Sequence, residues 1–200
     1  MIIPVNYFLN DDVLFIAEDL IGKYLFTLID GQISGGIITE TEAYKGTNDR
    51  ASHAFGGKHT SRNEIMYAEG GVVYIYLCYG IHYLLNFVTN KATIPDAVLI
   101  RSIFPTHGEE LMLKRSGKNQ ITPDIGNGPG KVTKLLGITL AENGIAIPSD
   151  KIWLEERELS INKENIQKSS RIGVSYAKED ALLPYRFVLP NNFITKEISW

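Results

Sequence analysis

The sequence predicts an α+β fold: a single domain over residues 1–200, with a mainly antiparallel, curved β-sheet, a protruding hairpin and surrounding short helices. Three observations lead to this prediction. Short runs rich in β-branched and aromatic residues alternate with glycine-containing turns, which is typical of hairpins. Short amphipathic segments that begin with capping residues stand between those runs. The chain has 200 residues, of which 44% are hydrophobic, and this suits one globular domain with a sizeable core.

The first elements in chain order are a helix and a hairpin. Asp12 provides an N-cap for an amphipathic helix, and Gly22 ends that helix. The next turn is Asp30-Gly31, a dipeptide that favours a tight hairpin. Its two strands are predicted over residues 23–29 and 32–41.

Two carboxylates lie where this hairpin ends. Glu40 and Glu42 are alternate residues, so on a strand both side chains point to the same face. Because the predicted strand ends at Thr41, we expect Glu42 at a strand end beside a loop, where a general base often sits. The alternative is a solvated strand edge, which is the usual environment of a glutamate.

A polar loop and a second hairpin follow. Residues 44–60 have little apolar content and predict a long loop. Ser61 and Glu64 form a capping-box pattern, which predicts a short helix to about Tyr67. The second hairpin is predicted from strands over residues 72–77 and 82–89, with Tyr79-Gly80 near its tip.

The aromatic residues of this region suggest a nucleic-acid site. An aromatic side chain at a hairpin tip lies outside any core, and such side chains serve as wedges between base steps of duplex DNA. Tyr79 is therefore a candidate wedge, the alternative being a chance surface aromatic. Tyr44, His53 and Tyr76 are candidates to line a slot for a planar ring. Ordinary core packing is expected for two further tyrosines, Tyr74 and Tyr83.

The remaining elements are assigned from the same patterns. A glycine-rich turn over residues 126–131 opens a helix, which makes it either an anion site or a plain helix entry. It lacks the spacing of a Walker A loop. Residues 169–176 are expected to form a loop. The other predicted elements are a strand over 97–103 that ends at Pro105, helices over 109–115 and 131–136, and strands over 152–154 and 185–189.

Charge and composition restrict the location and the partners. The net charge of −3 argues against nucleic acid, but the distribution of charge favours it. Basic side chains form two groups in the sequence, Lys45, Arg50, Lys58, His59 and Arg62, then Lys114, Arg115, Lys118, Lys131 and Lys134. Binding to phosphates would then be modest and salt-dependent. The absence of a membrane-spanning run or signal peptide, together with a single cysteine, Cys78, predicts a cytoplasmic protein.

Several short motifs follow one another along the chain: Glu-Thr-Glu-Ala-Tyr at residues 40–44, His53, Arg-Asn at 62–63, the tyrosine run at 74–80, Asn86, and the segments 98–101, 128–131, 171–173 and 184–187. In this order they resemble one family, the alkyladenine (3-methyladenine) DNA glycosylases of the mammalian alkyladenine type. The resemblance implies a monofunctional base-excision-repair glycosylase, a monomer that acts on double-stranded DNA without metal or cofactor. It implies release of alkylated or deaminated purines, of the class of 3-methyladenine, 7-methylguanine, hypoxanthine and ethenoadenine.

The resemblance also implies catalytic roles. Glu42 would be the general base that activates water, and the water would also contact Arg101 and the backbone carbonyl of Ile172. A charged residue in an apolar strand needs a partner, and Glu42 is the candidate partner of Arg101. An adjacent arginine would favour the ionised form of Glu42.

Further roles concern the DNA. The resemblance places the flipped purine between Tyr44 on one side and His53 with Tyr76 on the other. Asn86 would crowd the exocyclic amine of normal guanine. Tyr79 would fill the space left in the base stack with Ile81 beside it, and the candidates for backbone contacts are Lys58, Arg62 and Lys131. Ile81 stands where some family members have methionine, and His82 where they have an aromatic residue.

Two other functions fit parts of the sequence. A metal-dependent hydrolase would use side chains such as Glu40, Glu42, His53, His59 and His82, and chelators would abolish its activity. No familiar metal motif is present. A non-catalytic binder of damaged or single-stranded nucleic acid would use the aromatic residues and the basic loop, and it would bind without releasing a free base.

Overall fold

The computed structural model describes residues 1–159 and 161–194, and its centre is an eight-stranded sheet in which every strand pairing is antiparallel. The strands are β1 (Tyr24–Ile29), β2 (Gln32–Lys45), β3 (Val73–Cys78), β4 (His82–Thr89), β5 (Asp96–His107), β6 (Ile152–Glu155), β7 (Gln167–Ser169) and β8 (Arg186–Val188). The α-helices are α1 (Val13–Asp19), α2 (Glu109–Ser116), α3 (Pro129–Leu136) and α4 (Asn191–Ile194). The predicted α+β class, with a curved antiparallel sheet and short helices, is confirmed.

Strand β2 is the centre of the sheet. β5 pairs along one of its edges from Gly35 to Lys45. β1 and β8 share the other edge, with β1 on the first half of β2 and β8 on residues 40–42. The sheet order is β3-β4-β5-β2-β1-β6, with β8 also on β2 and β7 on β8. The predicted strand end at Thr41 is wrong, because β5 continues the pairing to Lys45; Glu42 therefore lies inside a strand.

Helices α1 and α3 pack on the sheet and complete the core. The Asp12 carboxylate accepts hydrogen bonds from the N–H groups of Leu14 and Phe15 at 3.0 and 3.2 Å, which confirms the predicted cap of α1. The buried faces of α1 and α3 join the main core of the sheet, through residues such as Ile16, Ala17, Val132, Leu135 and Leu136. No helix in the described part of the chain is long and apolar enough to span a membrane.

The second hairpin is confirmed and protrudes from the sheet. Cys78 pairs with His82, and the Ile81 N–H donates to the Cys78 carbonyl at 3.2 Å. Tyr79 and Gly80 between them both have positive φ, as the tight turn requires. The exposed fractions of Tyr79 and Ile81 are 89% and 71%, so two large apolar side chains project from the tip into solvent.

Two local predictions of the sequence are wrong. The Ser61 capping box does not form, because the carboxamide oxygen of Asn63 instead accepts from the Thr60 N–H and hydroxyl, and a 3-10 turn, Glu64–Tyr67, follows. Pro105 does not end its strand, because β5 continues to His107. An irregularity in the pairing with β2 lies opposite Pro105, and a bulge tolerates the missing N–H of a proline.

Candidate active site

A cavity of about 600 Å³ opens between the protruding hairpin, the middle of the sheet and the loop after β7. Eight of the predicted site residues line it: Tyr44, His53, Arg62, Tyr76, Tyr79, Asn86, Arg101 and Ile172. They come from β2, β3, β4, β5 and three loops, so the fold brings together positions that are far apart in the sequence. The other four predicted residues, Glu42, Ile81, Lys58 and Lys131, lie outside this lining.

Glu42 lies directly behind the cavity wall. Its exposed fraction is 0%, and both carboxylate oxygens have partners. Oε1 accepts the Ile172 N–H at 2.7 Å, and Oε2 accepts the Tyr44 hydroxyl at 2.8 Å. The Nε of Arg101 is 3.4 Å from Oε1. Tyr44, Arg101 and Ile172 all line the cavity, so Glu42 is separated from it only by its own partners.

Burial dominates the protonation of Glu42. Loss of solvent raises the pKa of this carboxyl, and the nearby Glu40 charge adds to the effect. Arg101, the Ile172 N–H and the Tyr44 hydroxyl lower the pKa, but the net shift is upward. The expected influence of the arginine on Glu42 is therefore present and is outweighed by burial. Buried acids with raised pKa values are typical of catalytic sites.

Arg101 has a closer partner than the one predicted. Its Nε donates to Glu40 Oε1 at 2.8 Å, compared with 3.4 Å to Glu42. The same oxygen of Glu40 accepts a hydrogen bond from the Nε of Arg186 at 2.5 Å. Glu40 and Arg186 were not predicted as site residues, although Glu40 shares a strand face with Glu42 and Arg186 lies in a motif of the resemblance.

The three aromatic residues of the predicted slot, Tyr44, His53 and Tyr76, all line the cavity. The rings of His53 and Tyr76 meet edge to face, with centroids 4.5 Å apart. His53 Nδ1 and the Tyr74 hydroxyl form a hydrogen bond of 2.8 Å, which fixes the imidazole. Burial, with help from the Arg62 and Lys58 charges, lowers the pKa of His53 to about 4, so the ring is neutral at neutral pH. Tyr74 is buried, as predicted, and its contact with His53 was missed.

Tyr44 is fixed by residues that were missed from the sequence. The guanidinium carbon of Arg171 lies 4.8 Å from the centroid of its ring. Arg171 in turn forms a buried, two-pronged ion pair with Asp49 and donates to the Ala43 carbonyl at 2.9 Å. Arg171 directly precedes Ile172, so this pair also holds the loop whose N–H contacts Glu42. The sequence contained two signals for this ion pair: Arg171 belongs to the motif at residues 171–173, and Asp49 is a lone acid in a basic loop.

Asn86 closes one side of the cavity. Its side chain is 3% exposed, and Nδ2 donates to the carbonyls of Tyr74 and Leu84 at 3.1 and 3.3 Å. Two main-chain acceptors therefore hold the side-chain amide. On β4 it stands opposite Leu99 of β5, next to the strand that carries Arg101. It is the one amide side chain among the described residues that line the cavity.

The three residues predicted to contact the DNA backbone differ in their surroundings, and of these three Arg62 lines the cavity. Arg62 lies with its guanidinium carbon 5.4 Å from the centroid of the Tyr76 ring. Lys58 is exposed, and its carbonyl is held by Asn63 and Tyr67. Lys131 is exposed at the first turn of α3 and lines a second cavity of about 500 Å³, which lies beside the hairpin and is also lined by Lys118, Lys134 and His82.

The metal-dependent alternative lacks a ligand cluster in the described residues. No group of three or more His, Cys, Asp or Glu side chains there is arranged to hold a metal ion. His53 instead contacts Tyr74 and Tyr76. His59 lies against Tyr67, with ring centroids 4.4 Å apart. Two histidines of that alternative, His53 and His59, therefore contact different aromatic residues.

The comparison with known families decides the assignment. The profile of the family described as methylpurine-DNA glycosylase matches residues 7–193. The chain belongs to this family. It is therefore a DNA glycosylase, an enzyme that hydrolyses the N-glycosidic bond between a base and its sugar, and the resemblance to glycosylases stated from the sequence is confirmed.

Bacterial relatives match nearly the whole chain. A protein from Chlamydia felis is 45% identical over 188 residues, which is 94% of this chain and 95% of the relative. A protein from Chlamydia pneumoniae is 42% identical over 92% of this chain and 93% of its own length. One from Bacillus cytotoxicus is 40% identical over 94% of this chain and 97% of its own length. Each carries the provisional name 3-methyladenine DNA glycosylase.

Proposed function

We propose that this glycosylase flips an alkylated or deaminated purine out of duplex DNA and hydrolyses its bond to deoxyribose with water activated by Glu42. The substrate class is that of 3-methyladenine, 7-methylguanine, hypoxanthine and ethenoadenine, and 3-methyladenine is also the base in the names of the relatives. The observation that carries the proposal is a fully buried carboxylate with a raised pKa directly behind an aromatic cavity. The protein works as a monomer.

The cavity suits a flat, flipped base. A purine enters between Tyr44 on one side and His53 with Tyr76 on the other. Stacking of a base on an aromatic ring contributes roughly 1–3 kcal/mol and depends little on which base it is. This tolerance suits an enzyme that accepts many kinds of damaged base. The amide of Asn86 faces the same space and rejects normal guanine by crowding its exocyclic amine.

The chemistry needs a base and a negative charge near the sugar. The water oxygen forms a bond to C1′, the C1′–N bond breaks, and its electron pair leaves with the purine. Glu42 accepts the proton of the water, and its charge stabilises the oxocarbenium-like transition state. Arg101 and the Ile172 carbonyl hold the same water. No lysine forms a covalent intermediate, so the enzyme leaves an intact strand with an abasic site.

Water reaches Glu42 by displacing one of its present partners. The Tyr44 hydroxyl belongs to a residue of a central strand, and Arg171 packs against its ring. The Ile172 N–H belongs to a surface loop, and the Ile172 side chain is 51% exposed. The contact of the Ile172 N–H is therefore the one that yields when substrate binds, since Tyr44 lies on a strand paired with β5 and Arg171 remains bound to Asp49.

The rim of the cavity binds the duplex. Tyr79 enters the base stack in place of the flipped nucleotide, with Ile81 beside it, because both side chains project from the tip of the hairpin. Phosphates contact Lys58, Arg62 and Lys131. None of these three has an ion-pair partner among the described residues.

The test of this function uses duplex oligonucleotides that carry one hypoxanthine, ethenoadenine or 3-methyladenine analogue. We expect free purine, detected by chromatography, and strand breaks that form only after alkali treatment. Activity should persist in EDTA. Tight binding without free purine would support the non-catalytic binder and reject the proposal, and strand cleavage without alkali would reject the monofunctional mechanism.

A further inference from the structure

Glu40 occupies a position between two arginines. Its Oε1 accepts hydrogen bonds from Arg101 Nε at 2.8 Å and from Arg186 Nε at 2.5 Å. Arg186 is itself held, since its Nη1 donates to the Ser169 hydroxyl at 3.1 Å. The side chain of Glu40 is only 11% exposed, so these charge-assisted bonds act away from bulk water and are strong.

The contact with Glu40 determines how Arg101 faces Glu42. Within the described residues, the hydrogen bond from Nε to Glu40 is the one side-chain hydrogen bond that Arg101 donates. The same Nε is 3.4 Å from Glu42 Oε1, which is an ion-pair distance. A guanidinium is a rigid plane, so fixing Nε fixes the terminal amino groups as well. Since Arg101 lines the cavity, Glu40 sets its orientation there.

We propose that Glu40 is a positioning residue: it holds Arg101 beside Glu42 and prevents the arginine from forming a full hydrogen-bonded pair with that carboxylate. The inference rests on the proposed function, because it takes Glu42 as the base. In this cluster the two negative charges, of Glu40 and Glu42, balance the two positive charges, of Arg101 and Arg186. Without the Glu40 charge, Glu42 is the carboxylate that remains within ion-pair distance of Arg101, and Arg101 turns towards it.

Several charged and titratable groups face Glu42 from the surrounding elements. They are Glu40 and Tyr44 on β2, Tyr76 on β3, Arg101 on β5, Arg186 on β8, and Arg171 and Tyr176 in and after the Ile172 loop. Among these neighbours, Glu40 is the carboxylate, and its charge favours the protonated form of Glu42. Removing that charge makes Glu42 a weaker base and extends its ionised form to lower pH.

The test compares Glu40→Gln and Glu40→Asp by single-turnover base release from a hypoxanthine duplex across a range of pH. Glu40→Gln keeps the length of the side chain and removes its charge. We expect its plateau rate to fall roughly tenfold to a hundredfold, as for a misplaced catalytic group. We also expect its acid-side inflection to move to lower pH. Glu40→Asp keeps the charge but no longer reaches Arg101, so its rate should also fall, while its inflection should move less than that of Glu40→Gln.

The controls separate positioning from folding and from the base assignment. Glu156→Gln removes a surface carboxylate that pairs with Lys23 at 2.9 Å, and it should leave the rate and the profile unchanged. A wild-type rate for either Glu40 variant overturns the inference, as does a lower rate of Glu40→Gln with an unmoved inflection. If Glu40→Gln fails to fold, the rate of Glu40→Asp tests the inference instead: a reduced rate supports it and a wild-type rate overturns it. Activity of Glu42→Gln would instead overturn the proposed function.

Discussion

Glu42 has no exposed surface, and its oxygens are occupied by an amide N–H and a hydroxyl. As the proposed base, Glu42 therefore owes its pKa above the ordinary 4.5 to burial, which Arg101, Ile172 and Tyr44 oppose. A carboxylate with a raised pKa takes a proton from water more readily than an exposed one. The same burial keeps bulk water away from the reacting centre.

The raised pKa of Glu42 predicts a loss of activity on the acid side. The reaction needs the ionised carboxylate, so kcat/KM should fall as the pH drops through the Glu42 pKa. The inflection should lie above pH 4.5, the ordinary value for glutamate. His53→Gln serves as the control, since the His53 pKa is lowered to about 4 and this variant should keep the inflection. A profile that stays flat down to pH 4.5 would show that Glu42 is not the titrating base.

At the scale of elements, the loop after β7 depends on one buried ion pair. Arg171 bonds to Asp49, and together they hold the loop that carries Ile172 and the ring of Tyr44. Asp49→Ala leaves a buried guanidinium without its carboxylate, and we expect a loss of roughly 3–5 kcal/mol in the free energy of unfolding, measured with urea. Glu179→Ala is the matched control. It breaks an exposed pair with Arg50 and should cost at most about 1 kcal/mol.

The second prediction at the scale of elements concerns the tip of the protruding hairpin. Tyr79→Ser removes the ring from the tip without touching the core, because Tyr79 is 89% exposed. We expect unchanged thermal stability together with weaker capture of the flipped base, measured as reduced fluorescence of a base analogue placed beside the lesion. Tyr176→Ser is a comparison at the rim, since that tyrosine is also exposed and lines the cavity. Wild-type capture by Tyr79→Ser would rule out the wedge.

At the scale of the whole molecule, the acidic chain keeps its three predicted phosphate contacts free of ion pairs within the described residues. The net charge is −3, yet Lys58, Arg62 and Lys131 have no ion-pair partner in the described residues. Some other basic residues are engaged within the protein. Arg115, which the sequence grouped with Lys131, donates to Ser34 and to the Leu135 carbonyl. For DNA binding, the positions of the basic residues therefore matter more than the net charge of the chain.

This distribution predicts the salt dependence of DNA binding. Three phosphate contacts give a slope of log K against log salt of about −2.7. Lys58→Ala should weaken binding to every sequence alike and reduce that slope by roughly one. Lys168→Ala should leave the slope unchanged, because Lys168 pairs with Glu18 at 2.8 Å. An unchanged slope in the Lys58 variant would remove that lysine from the DNA contacts.

The same scale shows what the sequence could predict. Local signals were sufficient for the Asp12 cap, the Asp30-Gly31 turn and the tyrosine hairpin, since each depends on neighbouring residues. The features that the sequence did not predict depend on contacts between distant parts of the chain. β2 runs past Thr41 because β5 and β8 flank it, and no nearby residue encodes that. The partners of Glu40 and of Arg171 lie across the chain, so their ion pairs emerged only from the fold.

The central claim, that Glu42 activates the attacking water, is tested most directly by Glu42→Gln. The amide keeps the shape of the side chain and cannot accept the proton. The measurement is single-turnover release of hypoxanthine from a duplex, with binding to the same duplex measured in parallel. The account predicts that release is abolished while binding stays within a few-fold of wild type. Release by the variant at most of the wild-type rate would contradict it.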